Sequence, residues 1–243
     1  MSKHLFPILL SCMLLGGMVT LVGFALVEED NARYERLEVH VEEVKGMFFV
    51  DAAGVQDAIF KHDSVAGTFV ADLSLHAIAE WVQAIPAVQA VEAYPGLNRS
   101  LHVRVTQRQP LARLHTSQQV ADLYIDIDGK ALPLSPHFTA RVPIIHAPSL
   151  EDASTAFDLI KITSSDPFWA AFIDQVVVGD DRQLEIIPRV GGARISVGTL
   201  ENLQTKLDNL LTFYQAQIAR GNLNDYKRID LAFEGQVVAQ RYY

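Results

Sequence analysis

H-E-x-x-H zinc sites, the G-x-S-x-G nucleophile turn and phosphate loops place particular side chains at short, fixed spacings, and this sequence does not supply them. Its eight histidines are dispersed, with no H-E-x-x-H pattern and no close pair at ligand spacing. Each is therefore expected on a surface or a strand, without a shared metal. Asp126 and Asp128 before Gly129 match the first positions of a calcium loop, but the later ligands and the closing glutamate are missing. An Asp-Gly hairpin turn, where a positive φ is tolerated, accounts for them. Gly191-Gly192 lacks the Lys-Ser/Thr of a phosphate loop, and no G-x-S-x-G occurs. The single cysteine, Cys12, excludes an intrachain disulfide and a cysteine-built metal site. Trp81 reads as core, and Trp169 as core or a local contact. No catalytic, metal-binding or cofactor-binding residue is assigned, and a non-enzymatic protein without cofactors is expected.

What remains is recognition through the backbone. The last stretch, "KRIDLAFEGQVVAQRYY", alternates apolar Ile229, Leu231 and Phe233 with Asp230, Ala232 and Glu234. A Glu-Gly pair interrupts it, and Val237-Val238-Ala239 follows. This reads as a hairpin in which Ile229–Phe233 belongs to the fold, Gly235 turns the chain and Gln236–Gln240 forms a terminal strand. A strand at a sheet edge offers unpaired N–H and C=O groups to another chain. The tail after Gln240 adds Tyr242 and Tyr243, read equally as interface aromatics or as a frayed terminus.

The elements that would hold this edge can be read from periodicity. Twenty basic against 29 acidic residues, with no Lys/Arg cluster, speak against nucleic acid. From Leu5 to Val27 there are 23 uncharged residues, long enough as a helix (~34 Å) to cross a bilayer core of ~30 Å. A cleaved signal peptide and a lipoprotein site at "LLSC" compete, but the run lacks an A-x-A-like end and continues well past Cys12. An uncleaved anchor is expected, with residues 1–4 cytoplasmic and the bulk outside, the charge bias being weak. After a connector at 28–36, a strand is expected at 37–42, and helices at 48–60 and 71–86, the latter capped by Ser74 and stopped by Pro86. Strands follow at 87–94 and 101–107. Beyond them come a hairpin around Asp128-Gly129, a helix at 151–163 and strands at 173–178 and 183–188. A helix at 199–219 is capped by Thr199, with Leu200, Leu203, Leu207, Leu210, Leu211, Tyr214 and Ile218 on one stripe. That stripe reads as core rather than as a coiled-coil seam.

The β-α-α-β-β order, Pro86 followed by "VQAV", and "LHVRVTQRQPLARL" with Arg108, Pro110 and Ala112 resemble the POTRA module of the bacterial FtsQ/DivIB division family and its "E-R-x-P-x-A" exit. Gln107 replaces the acidic residue there, so an ion pair at that position is absent. "DIDG", "ARVPIIHAPS" and "IDLAFEG" are similar to later passages of the family in order. The resemblance implies an α+β fold: transmembrane helix 5–27, POTRA-like domain 37–109, and a mixed β-sheet domain at 110–243 with helices on one side. It further implies a septal, single-pass inner-membrane scaffold that binds FtsB/FtsL-like coiled-coil membrane proteins by β-augmentation. A FtsK-like protein at the POTRA module is a further implied partner. Carried onto this sequence, the partner-facing residues are Phe233, Gln236, Val237, Val238, Ala239 and Gln240. Phe233 stands where the family often has Tyr, and Ala232 where it often has Arg, which removes a charged contact. Two other readings are weighed. One is a periplasmic POTRA adaptor in outer-membrane assembly or secretion, which would carry tandem modules and a long barrel. The other is an anchored cell-wall enzyme, which would need a nucleophile–base motif.

Overall fold

The computed structural model describes residues 13–20, 33–44, 46–70, 72–96, 98–117, 121–135, 138–179, 181–233 and 235–242. Residues 13–20 are helical (α1). Most of the expected span at 5–27 lies outside the described residues, and no helix among the described ones is long and apolar enough to cross a membrane. The rest of the chain is mixed α+β and divides into two compact units between Gln107 and Arg108.

The first unit runs β1 (Arg36–Val41), α2 (Ala52–Phe60), α3 (Leu75–Gln83), β2 (Val88–Pro95) and β3 (Ser100–Gln107). Its sheet has the order β1-β3-β2, with β1 parallel and β2 antiparallel to β3. The parallel pair needs a long crossover, and the two helices supply it. Leu101, Val103 and Val105 alternate inward from β3 to meet Val55 and Ile59 of α2 and Ile78 and Val82 of α3. Ser74 caps α3 as read, its Oγ accepting from Ala77 N at 3.2 Å.

Two expectations change here. The helix expected from residue 48 begins at Ala52, because Asp51 caps it by accepting from Gly54 N at 2.8 Å. The N–H groups of Phe49 and Val50 go instead to Gln107 Oε1, at 2.9 and 3.0 Å. The Gln107 amide is buried and donates back to the carbonyls of Glu42 (3.1 Å) and Met47 (3.4 Å), so it ties the last strand to the segment after β1. The connector expected at 28–36 also contains core. Tyr34 is buried, its N–H donating to Thr68 O and its carbonyl accepting from Gly67 N.

The second unit carries a nine-stranded sheet among the described residues. Its elements are β4 (Pro110–Thr116), β5 (Leu123–Asp126), β6 (Ala131–Pro133), β7 (Ile144–Ala147), α4 (Ala153–Thr163), α5 (Pro167–Phe172), β8 (Ile173–Val178), β9 (Leu184–Pro188), β10 (Arg194–Gly198), α6 (Leu203–Arg220), β11 (Tyr226–Asp230) and β12 (Val238–Arg241). The spatial order is β12-β11-β10-β9-β8-β7-β4-β5-β6. One register line crosses seven strands: Leu114, Ile145, Val176, Ile186, Ile195, Ile229 and Ala239. All lie in or against one core with Leu159 and Ile160 of α4, Trp169 and Phe172 of α5, and Leu207, Leu210 and Tyr214 of α6. The next line, one residue on, is His115, His146, Val177, Glu185, Ser196, Asp230 and Val238, and it belongs to the opposite face by strand alternation.

The Asp128-Gly129 turn joins β5 to β6. Asp126 is buried beside it, accepting the N–H groups of Asp128 and Lys130 through Oδ1 and pairing through Oδ2 with Arg108 at 2.8 Å. The carboxylate thus holds a turn and a guanidinium. Helix α5 is absent from the periodicity reading, since six residues are too few to show a period; Asp166 caps it and Pro167 takes its first position. Helix α6 starts at Leu203 with Asn202 in the left-handed region, so Thr199 is not its cap. Ile218, expected on the stripe, is 61% exposed. Gln217 is buried in its place and accepts from the Tyr226 hydroxyl at 3.2 Å.

The Tyr214 hydroxyl is buried without a hydrogen-bond partner, and burial pushes its pKa up to about 12. Below pH 10 both folded and unfolded forms keep the proton. Between pH 10 and 12 only the unfolded chain loses it, so stability falls over that window. Wild type is expected to lose about 2–3 kcal/mol relative to Tyr214→Phe on titration from pH 10 to 12, and to be no more stable than the variant at neutral pH. Thermal melts across that range check both parts. In the first unit, Gln107→Ala leaves two inward N–H groups unmet and is expected to cost roughly 2–4 kcal/mol by urea denaturation.

Candidate partner-binding edge

The sheet ends at β12, which has β11 on one side and no strand on the other among the described residues. β11 is held as core. It runs parallel to β10, buries Ile229 completely, and passes into Leu231, which is 2% exposed and donates its N–H to Ser196 O at 2.9 Å. Tyr226, at the start of β11, packs its ring on Phe213 at 5.2 Å between centroids.

β12 pairs antiparallel with β11 in the register Tyr226↔Arg241, Arg228↔Gln240, Ile229↔Ala239 and Asp230↔Val238, with an irregularity between Tyr226 and Arg228. The pairing runs beyond the strand, Tyr242 N donating to Asp225 O at 3.0 Å. The Arg241 guanidinium lies over the Tyr226 ring, 5.4 Å from its centroid. Alternation then sorts the side chains. Val237 and Ala239 pack against the core, whereas Val238 is 45% exposed and Gln240 is exposed. Along an antiparallel edge, alternate residues turn N–H and C=O away from the neighbour, so the outer side of β12 presents backbone groups to the exterior.

The hairpin differs from the sequence reading in two respects. The mate strand is Tyr226–Asp230 rather than Ile229–Phe233, and the terminal strand is Val238–Arg241 rather than Gln236–Gln240. The alternation from Ile229 to Phe233 stops being a strand pattern after Leu231. There the Asp230 carboxylate accepts from Ala232 N at 2.9 Å and bends the chain out of the sheet. Phe233, Gln236 and Val237 therefore sit in the loop, while Val238, Ala239 and Gln240 sit in the strand. Gly235 turns this loop with φ of +67°.

Phe233 is 54% exposed and, with Gln236, borders a cavity of about 470 Å³ closed on the other side by Thr205, Lys206 and Asn209 of α6. Lys206 Nζ donates to the carbonyls of Val197 (2.9 Å) and Thr199 (2.8 Å), which fixes the cavity wall where β10 leads into α6. Arg241, part of the tail by sequence pattern alone, belongs to β12. The Tyr226–Arg241 pairing is a long-range register fact, and no local signal carries it.

A mixed sheet layered by helices on one face and finished by a hairpin strand with a free edge defines this unit as a mixed α+β domain with an open sheet terminus. The profile of the family described as FtsQ/DivIB, C-terminal related, matches residues 109–240, more than half of the chain, and the chain belongs to that family. This is a family of bacterial cell-division proteins that act as non-enzymatic scaffolds among protein partners. A comparison with curated proteins returned no match.

Two substitutions separate the core strand from the edge. Ile229→Ala, inside the register line, is expected to cost about 2–4 kcal/mol in equilibrium unfolding. Val238→Ala, facing outward, is expected to cost about 0.5 kcal/mol or less.

Proposed function

We propose that this chain is a membrane-anchored, non-enzymatic scaffold of the division septum that captures an FtsB/FtsL-type coiled-coil partner by strand addition to β12. The observation that carries the reading is the free outer edge of β12, held in register by β11 through buried Tyr226 and Ile229, with exposed Val238 on the strand and exposed Phe233 in the loop before it. Main-chain pairing along such an edge provides affinity, and neighbouring side chains provide choice of partner. Phe233 supplies an aromatic contact beside the strand. Ala232 supplies no charge, so the partner segment here relies on apolar and backbone contacts.

In this reading residues 5–27 form the anchor, N-terminus inward, and place both compact units on the outer side of the inner membrane. The uncharged run of 23 residues supports that placement by its length. The first unit acts as a POTRA-like module, for which its β-α-α-β-β order and β1-β3-β2 sheet speak, and offers a second docking surface for a FtsK-like protein.

The test is capture of a tagged FtsB–FtsL pair by the full chain and by a chain lacking residues 236–243. The truncation is expected to abolish capture while the far-UV circular dichroism stays nearly unchanged, and Phe233→Ala is expected to weaken capture without affecting the fold. Undiminished capture by the truncated chain would overturn strand addition at β12.

A further inference from the structure

The open face of the large sheet brings together two histidines that are distant in the sequence. β4 and β7 run parallel with His115 directly beside His146, and the two rings lie 5.5 Å apart between centroids at an interplanar angle of 63°. Each imidazole has one nitrogen engaged. His115 Nδ1 is 2.7 Å from Asp122 Oδ1, and His146 Nε2 is 3.0 Å from Gln175 Oε1 on β8. Carboxylate and amide oxygens only accept, so the nitrogen facing each is the protonated one in the neutral ring. That leaves lone pairs on His115 Nε2 and His146 Nδ1.

Asp122 is itself held. Arg113, two residues before His115 on the same strand face, donates to Asp122 Oδ2 from Nε at 2.7 Å and from Nη2 at 2.6 Å. A histidine backed by an anchored carboxylate is the arrangement that fixes the tautomer and raises basicity in metal-binding imidazoles. The spacing also fits. Two imidazoles bound at ~2.0–2.1 Å to one tetrahedral ion have ring centroids about 5 Å apart. The observed separation of 5.5 Å is close to that distance.

We propose that His115 and His146 form a two-histidine site for a borderline divalent transition-metal ion, Zn²⁺ in the first instance, with Asp122 and Gln175 as the outer groups that set the tautomers. Imidazole nitrogen is the ligand type that suits Zn²⁺, Cu²⁺ and Ni²⁺ over the hard cations. No group of three or more His, Cys, Asp or Glu side chains able to hold a metal occurs among the described residues. The ion is therefore bound by two protein ligands, with water in its other positions. β7 is five strands away from β12 in the sheet, about 24 Å, so the site is separate from the partner edge.

The test is calorimetric titration of the full chain with ZnCl₂ in chelator-free buffer, read alongside the shift of the thermal midpoint. One saturable equivalent is expected, with a rise in midpoint on binding. His115→Ala and His146→Ala are each expected to weaken binding at least tenfold. Asp122→Asn, which keeps both imidazoles, is expected to weaken it by about tenfold through loss of the backing carboxylate. His76→Ala, which removes the exposed His76–Glu80 pair on α3 as a competing ligand set, is expected to leave affinity unchanged. His115 is 56% exposed at its side chain, so its removal leaves the core intact, and circular dichroism checks this. Absence of saturable binding, or binding by the three site variants equal to wild type, would overturn the proposal.

Discussion

The second unit depends on one line of aliphatic side chains laid across its sheet. Leu114, Ile145, Val176, Ile186, Ile195 and Ile229 are each essentially without solvent exposure and stand in register on six neighbouring strands. Fully burying such a side chain is worth roughly 1.5–3 kcal/mol. A slip of one residue in β4, β7, β9, β10 or β11 could bring His115, His146, Glu185, Ser196 or Asp230 into its place. The line therefore fixes the pairings from β4 through β7, β8, β9 and β10 to β11 at once. It also dictates where α4, α5 and α6 must lie, because the parallel pairs β7–β8 and β10–β11 need crossovers that cover this face.

The same line explains why the free edge is an orderly one. It reaches β12 as Ala239, whose small side chain still packs against the core, while Val238 and Gln240 turn outward. β12 is thus held in register without contributing a bulky buried side chain of its own. The strand is short and ends in Arg241, and the pairing irregularity in β11 twists the ladder. A short strand with a charged end limits unspecific pairing along an open edge. Membership of the FtsQ/DivIB family gives that opening a context in cell division. The polar line one residue on brings His115 and His146 side by side, so the register that builds the core also builds the histidine pair.

Much of this architecture was legible from periodicity. The β-α-α-β-β order, the Ser74 cap, the Asp128-Gly129 hairpin and the leucine stripe of α6 are local patterns, and each lies close to where it was expected. Three misreadings trace to hydrogen bonds that side-chain periodicity does not report. Helix α2 starts late because Gln107, distant in the chain, takes the N–H groups of Phe49 and Val50. Tyr34 is core rather than connector because its partners, Gly67 and Thr68, come from a later loop. The strand through Ile229 and Leu231 stops before Phe233 because the Asp230 carboxylate captures the next N–H. At the candidate edge, the strand itself was readable but its register was not, so Gln236 and Val237 moved into the loop and Arg241 into the strand.

The sequence by itself determined which segments are apolar on one side and where turns fall. These follow from side-chain spacing and the φ preferences of a few residues, which are properties of neighbours in the chain. Only the tertiary structure decided that β12 lies at the sheet's end with Tyr226 opposite Arg241, and that two dispersed histidines stand together. Strand order and register are settled by contacts between residues far apart in sequence. The deciding term is the joint burial of an aliphatic line that no single segment contains.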